Sequence, residues 1–172
     1  MLNIYINTWG NYNENGADGG RWVTLPMNES ELEEIMESTA EAMHDEDPEW
    51  FVNDYEWTTD ISPRAIEEME NILDLNEYAQ ELDDLDEWEQ KTYCAACEIF
   101  GDIDPGDIDD YRLFEDVNSD YDLGYYWIEE SGCHDLDKLG NLAHYIDYEA
   151  FGRDVSIESD GGFSSYGWIE RC

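Results

Sequence analysis

Residues 30–47 read SELEEIMESTAEAMHDED, and the way this stretch folds decides how the rest of the chain is understood. As a helix it gathers Leu32, Ile35, Met36, Thr39 and Met43 on one side, at the three-and-four spacing of a core-facing stripe. On another side it stacks Glu33, Glu37, Glu41 and Asp45, carboxylates one turn apart. Like charges at that spacing destabilise a helix by about 0.2–0.5 kcal/mol per pair, so surface helices usually set Lys or Arg among them. Here no Lys or Arg occurs from Trp22 to Pro63. The stretch therefore predicts an amphipathic helix that rests on a core and carries an uncompensated anionic row.

Working outward, the same imbalance holds throughout. The chain has 46 acidic and 7 basic residues, a formal net charge of −39 over 172 residues. Such self-repulsion opposes compaction, and acidic chains of this kind are often disordered. Disordered chains are poor in aromatics, however, whereas this one is 41% hydrophobic with 7 Trp, 12 Tyr and 5 Phe. It has the means to build cores, and it is expected to fold. The length admits one domain or a few small ones, and repulsion is least if they are drawn out, so an elongated α+β chain of three small subdomains is expected. No apolar run approaches membrane-spanning length, and no basic segment leads into an apolar one at the N-terminus. A soluble, cytoplasmic protein follows as the expectation. A surface this negative repels nucleic acid and anionic lipid, so direct binding to either is excluded.

Within the first subdomain, 1–61, LNIYINTW and RWVTLP read as strands around a loop, NYNENGADGG. The helix above is capped by Asn28 or Ser30, and EWFVNDYEW reads as a third strand. The second, 62–101, reads as wholly helical. Ser62-Pro63 signals a helix start with Ile66, Met69 and Leu73 on one face. Asp74 with Glu77 signals another helix, and Asp86 a third that carries Trp88, Thr92, Ala95, Ala96 and Ile99. The third, 102–172, reads as mixed. A short helix or turn is expected around Tyr111–Glu115, strands at LGYYWIEE, DVSIES and YGWIE, and a helix through Leu136, Leu139, Ala143 and Ile146.

Metal and catalytic chemistry find little footing. DVNSDYDLGYYW, residues 116–127, begins like a calcium loop with Asp116, Asn118 and Asp120. It then has Tyr121 where the sharp turn needs Gly and Trp127 where the bidentate Glu belongs. Cys94 and Cys97 form a lone CxxC that Cys133 and His134 complete on paper to a zinc set, yet Cys94 and Cys97 fall inside a helical pattern, where two small buried residues are the plainer reading. Four cysteines in this length do not make a disulfide scaffold, and free thiols are expected. His44, His134 and His144 form no HExxH pattern, and no Walker or GxSxG string occurs. The expectation is a protein that is not an enzyme, with no metal and no cofactor.

What remains is the array of carboxylates. By count, 36 of the 46 lie in residues 28–130, with 3 of the 7 basic residues. The row Glu33, Glu37, Glu41 and Asp45 is joined by Glu70, Asp74, Glu77, Glu81, Asp83, Asp84, Asp86 and Glu87 in the helical middle. Asp102, Asp104, Asp107, Asp109, Asp110, Asp116, Asp120 and Asp122 follow. At the charge density of B-DNA, one per about 1.7 Å of axis, 39 charges cover roughly 66 Å. Helical carboxylates one turn apart rise about 6 Å, comparable with phosphates along a strand. An acidic surface of this kind can offer a DNA-binding protein an imitation of its own ligand. The competing uses are a calcium-dependent binding module, an acidic chaperone for basic proteins and halophilic adaptation.

The opening IYINTWGNYNENG with GRWVTLP, the block LAHYIDYEAFGRDVSIES at 142–159 and the closing YGWIE resemble the ArdA antirestriction proteins. HYIDYEAFGRD, residues 144–154, is the most specific part, and the likeness covers essentially the whole chain. The resemblance implies a three-part α+β fold, a homodimer and mimicry of bent B-form DNA. It implies inhibition of type I restriction–modification enzymes through the DNA-binding groove of their specificity and methyltransferase subunits, in a bacterial host and on a mobile genetic element. The family's antirestriction motif, linked to its dimer contact, falls around Leu136, Leu139, Leu142, Tyr145 and Tyr148, residues that ordinary core packing explains equally. Gly152 and Arg153 are expected to serve a turn and a local carboxylate pairing.

Overall fold

In strand β1 (Leu2–Thr8), buried Leu2, Ile4 and Ile6 alternate with half-buried Asn3 and Tyr5, which gives one apolar face to bury. In the computed structural model, which describes residues 1–58 and 63–172, β1 lies between two antiparallel partners, β2 (Arg21–Leu25) and β3 (Trp50–Trp57). Helix α1 (Trp9–Asn15) occupies part of the expected loop. Thr8 caps it by accepting from the Asn11 N–H, and Gly16 ends it at φ 68°.

The deciding stretch is indeed helical, as α2 (Glu29–Met43). Asn28 is its cap, accepting from the Ser30 N–H, and Leu32, Thr39 and Ala40 are buried. The helix stops at Met43 because His44 turns left-handed, at φ 59°. Asp45 therefore lies beyond the helix and is not its fourth rung.

No helix starts at Pro63, and Ser62 lies outside the described residues. From Pro63 to Glu70 the chain is irregular: the Val52 N–H donates to the Glu68 carbonyl, and Ile66 is buried in the core. Helix α3 (Ile72–Asp84) starts instead at Asn71, whose side chain accepts from the N–H groups of Leu73 and Asp74. It continues unbroken through the second expected start at Asp74. Buried Asn76 ties it to the segment after β2, accepting from the Met27 N–H and donating to the Met27 carbonyl, both at 2.9 Å. Helix α4 (Glu87–Phe100) begins as expected. Asp86 accepts from the Trp88 and Glu89 N–H groups while its own N–H donates to Glu89 Oε2. Two compact units result, Met1–Gln90 and Lys91–Cys172, with the division inside α4.

The second unit departs more from expectation. A 3₁₀ turn at Pro105–Asp110 leads into strand β4 (Tyr111–Phe114), where a helix or turn was expected. Its backbone is claimed by β6 (Gly167–Arg171), which lies between β4 and β5 (Gly161–Ser164), all antiparallel. LGYYWIEE is helical, not a strand: α5 (Asp120–Tyr125) runs into a π turn at Tyr126–Glu130. Ser119 starts it by accepting from the Asp122 N–H, and the wide π turn lets Leu123 and Ile128, five residues apart, both be buried. DVSIES likewise belongs to helix α6 (Tyr148–Glu158), capped by Asp147. The helix expected through Leu136 and Ile146 is two 3₁₀ pieces, Leu136–Lys138 and Gly140–Tyr145, with Gly140 at φ 51°.

Gly124 and Gly152 explain why α5 and α6 pair. A Cβ on Gly152 would stand 1.7 Å from the Asp120 carbonyl oxygen, and one on Gly124 1.9 Å from that of Tyr148. The two backbones touch, which only glycine permits. Gly152 therefore serves a helix–helix contact, not the expected turn. Side chains of both sheets and helices close the cores around Ile4, Leu25 and Leu75 in one unit and Leu113, Trp168 and Ile169 in the other.

Candidate functional site

In the first unit the anionic row survives with one change. Glu33, Glu37 and Glu41 are exposed along α2, and among the described residues none has an ion-pair partner. Asp45 rejoins them from beyond the helix because Thr8 Oγ1, at the end of β1, donates to its Oδ2 at 2.6 Å. The four, with Glu46, line a groove of about 530 Å³ whose apolar lining is Met36, Ala40, Pro48, Trp50 and Leu73. On α3, Asp74, Glu77, Glu81, Asp83 and Asp84 are exposed, and Gln80 donates to Asp84 Oδ1. Glu77 and Glu81 border a second hollow, of about 450 Å³, beside Asn28 and Glu29. Asp86 and Glu87 are exposed at the start of α4, where negative charge also suits the helix dipole.

Glu70 is different from the rest. Arg64 donates to both its oxygens, at 2.8 and 2.7 Å, and the Glu67 N–H donates to Oε1. Burial pushes the carboxyl up, but the Arg64 hydrogen bond, the Glu67 N–H and the Arg64 charge together hold it below the usual range. This carboxylate fixes the turn before α3 and is not part of an open anionic face.

In the second unit Asp102, Asp104, Asp107, Asp109, Asp110 and Asp116 are exposed. Asp104 also accepts from the Gly106 N–H to start the 3₁₀ turn. Asp120 is half-buried, and Asp122 accepts from Ser119 Oγ at 2.7 Å and from the Asn118 N–H at 3.2 Å. The residues of the calcium-like string are thus bound up in starting α5. Among the described residues no group of three or more His, Cys, Asp or Glu could hold a metal ion. Cys94 is buried on α4, and burial, followed by the nearby Cys97, pushes its thiol up to about 12.

The basic side chains stand elsewhere. Ion pairs join Arg64 to Glu70, Lys91 to Glu115, Lys138 to Asp135 and Arg171 to Asp160. Arg112 lies over Phe114 at 4.7 Å and Arg171 over Phe100 at 5.0 Å. None of these pairs involves Glu33, Glu37, Glu41 or Asp45. Arg153 is exposed on α6 and has no carboxylate partner among the described residues, so the local pairing expected for it is not formed.

Core packing does not account for Leu139, Leu142 and Tyr145. Leu142 is 68% and Tyr145 83% exposed, and Leu139 is exposed too, while Leu136 is half-buried. Tyr148 joins Tyr121 and Tyr125 in a surface cluster with ring centroids 5.6–6.4 Å apart, and its hydroxyl donates to Glu129. Sequence reasoning missed Tyr121 and Tyr125. Their four-residue spacing is the helical signal, hidden by the aromatic, strand-like composition of 121–127. Ile157, 75% exposed on α6, was hidden in the same way by DVSIES.

Among the described residues no helix is long and apolar enough to cross a membrane. A family model described as antirestriction protein (ArdA) matches residues 4–170. No curated protein matches the chain.

Proposed function

Since the chain belongs to the ArdA antirestriction family, we propose that it disarms type I restriction–modification enzymes by imitating the DNA they bind. Antirestriction is the function that membership gives. The mimicry rests above all on the row formed by Glu33, Glu37, Glu41 and Asp45, held on a helix and a sheet end in a span, Trp22 to Pro63, that contains no Lys or Arg. The exposed carboxylates of α3 and of residues 102–116 extend the same chemistry through both units.

Lys and Arg on the enzyme's specificity and methyltransferase subunits would then meet carboxylates in place of phosphates. Counterions condensed on this chain are released on contact, and association is fast and steered. No bond is made or broken, and inhibition is stoichiometric. The protein acts in the cytoplasm of its bacterial host as a homodimer. Its exposed Leu139, Leu142 and Tyr145 supply apolar surface of the kind a twofold contact uses. The ligand imitated is bent B-form DNA, as the family resemblance implies.

Competition tests the proposal. The protein is titrated into a type I methyltransferase bound to labelled duplex, at two salt concentrations. Stoichiometric displacement that weakens with salt is expected. Failure to displace the duplex at either concentration sinks the type I assignment.

A further inference from the structure

The groove beside α2 differs from the rest of the acidic surface because it has an apolar floor. Met36, Pro48, Trp50 and Leu73 are each half-buried there, so part of each faces the opening. Glu33, Glu37, Glu41 and Glu46 stand around them, all exposed. Asp45 also lines the groove and is fixed by Thr8. A volume of about 530 Å³ falls within the range of ligand pockets, roughly 300–1,000 Å³. A DNA-like row of charge needs no such floor, and a simple ion has no use for one. An apolar bed ringed by carboxylates suits a ligand that is itself divided, with an apolar stem and a cationic head.

Resting on the mimicry proposed above, we infer that this groove takes an arginine side chain from the partner's DNA-binding surface. Charge complementarity fixes the sign of the occupant, because the lining residues include five carboxylates and no Lys or Arg. The floor selects arginine over lysine. Its methylene stem packs on Met36 and Leu73, and its flat, weakly hydrated guanidinium can lie against Trp50 while donating to the surrounding glutamates. DNA receives arginine in a similar way, between two rows of phosphate in a narrow minor groove. The groove thus turns a diffuse attraction into a local, shape-dependent contact.

Two measurements test the inference separately from the mimicry. In the first, blocked Gly-Arg-Gly, blocked Gly-Lys-Gly and guanidinium chloride are titrated into the intact protein at matched ionic strength, followed by NMR at the Trp50 indole N–H. A saturable shift is expected with the arginine peptide, at several-fold lower concentration than with the other two. Equal responses to all three, or no saturable shift at Trp50, overturn the groove. In the second, Met36→Arg and Ser38→Arg are compared in the displacement assay. Both add one positive charge to α2, but only the first places it in the groove. Met36→Arg is expected to cost about tenfold in potency, the scale of one desolvated cation–aromatic contact, and Ser38→Arg less than about twofold. Equal losses mean that net charge alone matters and overturn the groove. Should Met36→Arg fail to fold, the peptide titration on the unaltered protein decides. Displacement of DNA without peptide saturation leaves mimicry standing and removes the groove; saturation without displacement does the reverse.

Discussion

Replacing Gly152 by alanine tests the packing of the second unit at its tightest point. At an exposed helical site this change stabilises by about 1 kcal/mol, because glycine loses the most backbone freedom on folding. At Gly152 the added Cβ would stand 1.7 Å from the Asp120 carbonyl oxygen and 2.6 Å from the Gly124 nitrogen, where ordinary contact begins at 3.4 Å. Both obstacles are backbone atoms that cannot rotate away, so α5 and α6 must separate by on the order of 1.5 Å. Such overpacking costs typically about 1–3 kcal/mol and occasionally more. A backbone clash belongs at the upper end, so a net loss of about 2 kcal/mol is expected after the helical gain. Urea denaturation followed by tryptophan fluorescence measures it. With a slope of about 1–3 kcal/mol per molar for a small protein, the midpoint should fall by on the order of 1 M. A midpoint that rises would refute the close approach of the two helices. Opening that contact should also loosen the Tyr121, Tyr125 and Tyr148 cluster, so the tyrosine ring signals should shift in the same variant.

Further outcomes are expected from the carboxylates, the buried amide and the thiols. Single changes such as Glu37→Gln or Asp109→Asn should leave inhibition nearly intact, each costing less than about 1 kcal/mol. Replacing Glu33, Glu37, Glu41, Asp74, Glu77 and Glu81 together should abolish it, as read by displacement of labelled duplex. Glu70→Gln should destabilise by about 1 kcal/mol at neutral pH. Because the folded carboxyl is held below its ordinary value, that contribution is complete above the unfolded value, near 4.3. It fades as pH falls through the lower folded one, so thermal melts of variant and parent should converge in acid. Asn76→Ala strands the Met27 N–H and carbonyl and should cost about 2 kcal/mol by the same melts. Cys94, buried and with its thiol pushed up to about 12, should resist alkylation at pH 8, whereas exposed Cys133 should react at once by mass spectrometry.

The first unit was largely legible in the sequence, because its signals are local. Alternating Leu2, Ile4 and Ile6, the Asn28 cap and the Leu32–Met43 stripe each specify one element. Errors there include single residues diverted by one neighbour or one partner. Asp45 left the helix because His44 turned left-handed, and Glu70 was claimed by Arg64. In the second unit tertiary contacts overrode composition. Tyr125, Tyr126 and Trp127 favour strands in isolation, yet they are helical because Gly124 and Gly152 let α5 and α6 pack backbone to backbone, an effect no propensity contains. Tyr111–Phe114 became a strand only because β6 supplied a partner. The acidic site was legible as composition and as one helical row. The groove was not, since Trp50 and Leu73 reach it from other elements.

The placement of the few basic side chains against aromatic rings and a handful of carboxylates has a practical consequence. Electroneutrality must come from the surrounding medium, which enters as a component of the folded particle. Added electrolyte then relieves internal repulsion and firms the fold, while it erodes the entropy gain that drives capture of the target. Heat resistance and inhibitory potency should therefore slope in opposite directions with ionic strength, and conditions chosen for long storage will be those in which the inhibitor works worst.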